Sequence, residues 1–136
     1  EILRVEVTPS GNTGINLYQS TTLSVGSVKE ISNSAEGYTV TMESANALAS
    51  ADGTTAFFLG SAKGDEINYS VTYGGTDYFT LSSGAVVVTT SAAAKTSAAG
   101  VDNTVEITFN GLTAADGSVP YEDTYTDTLT FTISSQ

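Results

Sequence analysis

The chain has 136 residues, enough for one domain with a buried core, and a formal charge of −11 from 15 acidic and 4 basic side chains. A surface of that sign repels phosphate backbones and anionic lipid, which argues against a nucleic-acid or membrane-surface partner. Cysteine, histidine and tryptophan are absent, which removes disulfides, thiol catalysis, the commonest general base and the commonest metal ligands.

The first segment, Glu1 to Thr8, alternates Leu3, Val5 and Val7 with Arg4, Glu6 and Thr8, the period of two of a half-buried strand. No basic-then-apolar leader precedes it, which reads as a mature or trimmed chain. Residues 9–14 hold Pro9, Gly11, Asn12 and Gly14, a turn-rich hinge between that strand and the rest. Ile15 and Leu17 suggest a short strand. Leu23 to Ile31 alternates but slips by one between Val25 and Val28, with Gly26 at the slip, so a β-bulge or bend is expected there.

Tyr38, Val40 and Met42 alternate with Thr39, Thr41 and Glu43, the clearest internal strand. Residues 45–54 read as a loop with one helical turn around Ala47, Leu48 and Ala49. Phe57-Phe58-Leu59 is a short apolar run. Ile67, Tyr69, Val71 and Tyr73 alternate in the next strand, closed by a Gly74-Gly75 hairpin turn. Tyr78 to Leu81 returns, and Ala85 to Thr90 is a further strand. The Ala-rich stretch Ser91 to Gly100 is diluted by Ser and Thr and reads as a loop. Val105, Ile107 and Phe109 alternate again. The last strand places Tyr125, Asp127, Leu129, Phe131 and Ile133 on one face and Thr or Ser between them.

Short strands at roughly ten-residue spacing predict an all-β protein, an antiparallel two-sheet sandwich of immunoglobulin-like topology. The last strand needs a neighbour on each side, and Leu3, Val5 and Val7 match Leu129, Phe131 and Ile133 in spacing. Burying three such side chains is worth roughly 5–9 kcal/mol. The first strand can fold back in cis or reach into another molecule.

The residues offer little chemistry. Asp65-Glu66, Glu122-Asp123 and Asp127 read as turn acids rather than facing catalytic carboxylates. No catalytic residue, metal or cofactor is expected. Asp116, Glu122 and Asp123 are the weak candidates for calcium, without EF-hand spacing. Asn68-Tyr69-Ser70 matches a glycosylation sequon but falls within a strand. Tyr38, Tyr69, Tyr73 and Tyr125 are read as core before sugar-stacking platforms.

Three motifs carry a resemblance: Gly37-Tyr38-Thr39-Val40-Thr41-Met42 with Ser44-Ala45-Asn46; Asp65-Glu66-Ile67-Asn68-Tyr69 through Tyr73-Gly74-Gly75; and Tyr125-Thr126-Asp127-Thr128-Leu129-Thr130-Phe131-Thr132-Ile133. Together they resemble the pilins of the bacterial chaperone–usher pathway, in the colonisation-factor-like or spore-coat-protein-U-like class. The match spans nearly the whole chain. It departs from many pilins in lacking a disulfide and a penultimate Tyr.

The resemblance implies a domain of six core strands, residues 15–136, completed by an N-terminal donor strand, residues 1–8, after a hinge at 9–14. Leu3, Val5 and Val7 would be the donor residues, and Leu129, Phe131 and Ile133 the acceptor groove. The implied function is a non-enzymatic subunit of an extracellular adhesive pilus, exported through the periplasm and polymerising by donor-strand complementation. Implied partners are identical subunits, a periplasmic chaperone, an outer-membrane usher and a host or surface receptor. The alternative is a monomeric cell-surface immunoglobulin-like module that binds carbohydrate or protein.

Overall fold

The computed structural model describes all residues except 12–15, 17–19, 93–94, 110 and 112. The expected strand at Ile15 and Leu17 lies outside the described residues, as do residues 12–14 of the 9–14 hinge. The architecture is an antiparallel all-β sandwich of two sheets.

The larger sheet contains β1 (Leu3–Pro9), β2 (Thr21–Ser32), β4 (Phe57–Gly60), β5 (Glu66–Tyr73), β6 (Thr76–Tyr78), β8 (Val101–Phe109) and β9 (Tyr125–Thr126). Its order is β1-β2-β8-β5-β4-β9, with β6 hairpinned onto β5. The smaller sheet contains β3 (Tyr38–Ser44), β7 (Ala85–Ser91) and β10 (Leu129–Ser135), in the order β10-β3-β7. A short α-helix, α1 (Ala45–Ala49), follows β3, where the sequence suggests a helical turn. None of the described helices is long and apolar enough to cross a membrane.

The alternating residues do what their period predicts. Val40 and Met42 of β3, Ile67, Tyr69, Val71 and Tyr73 of β5, and Val105, Ile107 and Phe109 of β8 all point into one core. Phe58 stacks on Tyr69 at 4.5 Å and meets Phe109 edge-on at 6.2 Å, both favoured aromatic geometries. The slip in β2 is a register shift between Ser24 and Gly26. Gly74 and Gly75, with φ of 54° and 86°, make the tight turn between β5 and β6 that only residues tolerant of positive φ form easily.

Two elements depart from the sequence pattern. The last strand is not continuous. Tyr125–Thr126 pairs with β4 in the larger sheet, and Leu129–Ser135 pairs with β3 in the smaller one. The chain changes sheets at Asp127-Thr128, where hydrogen bonds to the Asp127 carboxylate replace the ladder. The return after the hairpin is also shorter than the Tyr78–Leu81 run suggests. β6 ends at Tyr78, and Phe79 is left exposed.

Candidate functional site

The first strand does not form a ladder with the last. β1 pairs antiparallel with β2, from Leu3 opposite Ser32 to Pro9 opposite Gly26. The Ser10 amide then donates to the Val25 carbonyl at 3.0 Å, so the start of the hinge is bound to the larger sheet. β10 takes β3 as its partner, with Phe131 opposite Met42 and Ile133 opposite Val40. β1 and β10 run close to each other as edge strands of different sheets.

Between these edges lies an apolar cleft of about 380 Å³. Val7 and Val25 form one wall and Leu129 and Phe131 the other, while Tyr69, Val105 and Ile107 reach it from the core. The apolar faces of both edge strands are incompletely covered: Leu3, Val5, Leu129, Phe131 and Ile133 are half-buried, and Val7 is 53% exposed. Val5, Leu129 and Phe131 still pack against the core cluster. Phe131 stacks on Tyr73 with centroids 5.7 Å apart. The structure thus brings Val7, Leu129 and Phe131 to one cleft, and places Leu3, Val5 and Ile133 outside its lining.

At the cleft lining lies a polar cluster, around Asp127, that joins all three of the sequence motifs. Ser44 ends β3 and caps α1, its hydroxyl accepting from the Ala47 amide at 3.1 Å. The same hydroxyl donates to Asp127 Oδ2 at 2.6 Å, as does the Tyr69 hydroxyl at 2.6 Å. Asp127 Oδ1 accepts from the Asn46 and Thr128 amides at 3.1 and 2.7 Å. The Asn46 side-chain amide donates to the Phe57 and Thr126 carbonyls. Four donors hold one carboxylate where the chain crosses between sheets. Burial, and then the Asp127 charge, raise the Tyr69 hydroxyl well above the usual tyrosine range. The linear sequence places Ser44 and Asn46 in one motif, Tyr69 in a second and Asp127 in the third, and nothing in their spacing shows that they meet.

A buried carboxylate lies elsewhere between the sheets. Glu30 is 1% exposed. It accepts from Tyr38 at 3.0 Å, Tyr73 at 2.5 Å and Thr89 at 2.7 Å. These hydroxyls come from β3, β5 and β7, so the carboxylate on β2 links both sheets. Burial, and then the hydrogen bond to Glu30, push Tyr38 up to about 12.

The surface acids stand apart from this chemistry. Asp123 accepts from the Ala62, Lys63 and Thr124 amides and the Ser61 hydroxyl. These bonds, led by the one from Ala62, hold its carboxyl down at about 2. Asp116 accepts from the Ser118 amide and hydroxyl. Among the described residues no group of acids is arranged to hold a metal. Asn68 and Ser70 of the sequon lie in the β5 ladder, opposite Phe57 and Thr108.

The chain matches no protein-family model and no curated protein.

Proposed function

We propose that the chain is a structural subunit of an extracellular adhesive pilus, an immunoglobulin-like sandwich with one strand position open between β1 and β10. In this reading, subunits join when an extended segment of another subunit enters that cleft and pairs with the outer edge of β10. The observation that carries the reading is the pair of half-buried apolar edges facing one unfilled apolar cleft. An open edge beside apolar surface is an aggregation hazard unless something covers it. Strand addition covers it with backbone pairing and apolar burial together. The three pilin-like motifs support the same reading, since all three meet around Asp127 at the cleft.

Residues 1–8 of a neighbouring copy remain the candidate donor, through Leu3, Val5 and Val7. Donation by this segment is an exchange: β1 leaves its own β2 and pairs with β10 of the next subunit. The ladder lost is matched by the ladder gained, and filling of the cleft supplies the difference. Before assembly, a periplasmic chaperone would cover the cleft and an usher would direct export. A second reading, a monomeric cell-surface module binding carbohydrate or protein, draws on the complete cis ladder of β1 with β2.

The test adds a synthetic peptide of residues 1–8 to the intact chain. Binding should stabilise the domain by about 2.7 kcal/mol at a hundredfold excess over the dissociation constant. Leu129→Asp should abolish this gain, and Val7→Asp, at an exposed position, should weaken it while leaving the fold intact. A chain that neither binds the peptide nor self-associates at any concentration would support the monomeric module instead.

A further inference from the structure

The outer face of the larger sheet carries a second recess, separate from the cleft. Asn68, Ser70 and Thr108 point outward there because Ile67, Tyr69, Val71, Ile107 and Phe109, their chain neighbours, point into the core. Phe79 stands beside them, 68% exposed. With Thr55 these residues line a depression of about 360 Å³. A second depression of about 260 Å³, lined by Thr113 and Gly117 among others, shares Asn68 with the first. Asn68 lines both depressions, which together make the candidate groove.

Three properties select an occupant. Among the described residues no charged side chain lines either depression, although the chain as a whole carries −11, so the groove suits a neutral ligand. The polar lining consists of hydroxyls and one side-chain amide. No described residue hydrogen-bonds the Asn68 amide, which leaves it free to donate and accept. At one end an exposed aromatic ring offers a flat apolar surface without order-costing flexibility. An apolar platform beside uncharged donors and acceptors complements a pyranose, whose C–H face stacks while its hydroxyls bond. The paired depressions suit a chain of sugar units rather than a single ring.

We propose that this groove binds a neutral oligosaccharide, with Phe79 as the stacking platform and Asn68 as the central hydrogen-bonding group. The inference is independent of strand addition, because the groove lies on the outer face of the sheet and the cleft lies between the sheets.

The experiment follows backbone amide resonances of the isotope-labelled chain during titration with cellotetraose, maltotetraose and chitotetraose, and with a heparin tetrasaccharide as the anionic counterpart. At least one neutral sugar should shift Asn68, Ser70, Phe79 and Thr108 saturably. Phe79→Ala and Asn68→Ala should each weaken that binding about tenfold or more with unchanged thermal melting. The proposal is overturned if no neutral sugar gives saturable shifts there, if the heparin fragment binds equally well, or if Phe79→Ala leaves binding unchanged. It is also overturned if Phe79→Ala alters self-association without altering sugar binding, which would make the groove an interface between copies.

Discussion

Glu30 and Asp127 are carboxylates used as acceptors between elements, each held by several donors and neither paired with a cation. Removing such an acceptor strands buried hydroxyls, which costs more than the bond itself contributed. Asp127→Ala leaves the Tyr69 and Ser44 hydroxyls without their acceptor, so it should lower stability by about 3 kcal/mol, read from urea denaturation midpoints. The tyrosines on Glu30 predict an alkaline limit. Tyr38 titrates near 12 in the folded chain against about 10 in an unfolded one. Its folded value is raised, so its contribution is complete below pH 10 and is lost as the pH rises through 12. Denaturation midpoints should therefore fall over that window, together with the rise in tyrosinate absorbance. Tyr38→Phe should flatten that part of the profile.

At the scale of elements, the bulge at Gly26 fixes how closely β1 lies on β2. A Cβ there would stand 2.6 Å from the Thr8 carbonyl oxygen, a clash with backbone that no side-chain rotation relieves. Gly26→Val should detach the end of β1 while sparing the core, seen as faster hydrogen exchange in residues 3–9 than elsewhere. Gly26 was legible in the sequence because the slip displaces an alternating pattern, and periodicity is a local property. The core strands were legible for the same reason. The partner of β1 was not. Leu3, Val5 and Val7 suit β2 or β10 equally well by spacing, and the choice depends on long-range packing. The sheet change in the last strand was hidden because Tyr125 through Ile133 keeps its alternation across Asp127, whose four donors come mostly from distant segments. The exposure of Phe79 was hidden because a Tyr-Phe-Thr-Leu run looks like strand, and only the three-residue length of β6 leaves the ring outside.

For the whole molecule, charge opposes the proposed assembly. Each subunit carries −11, so approaching copies repel one another over the Debye length, which falls from about 30 Å at 0.01 M salt to about 10 Å at 0.1 M. Self-association should accelerate with added salt, measured by light scattering at fixed protein concentration. A salt-insensitive or salt-inhibited rate would show that attraction between charged groups controls the encounter. The crossing of the final strand has a mechanical consequence as well. Its short upstream part is fixed to one sheet and its long downstream part to the other, with Asp127 as the peg between them. Tension applied lengthwise to β10 would load its ladder with β3 in shear, so the bonds must fail together rather than open one by one. The peg would carry the same load into the opposite sheet. A chain pulled through this strand would therefore resist as a whole sandwich, which is the behaviour the proposed pilus would require of each link.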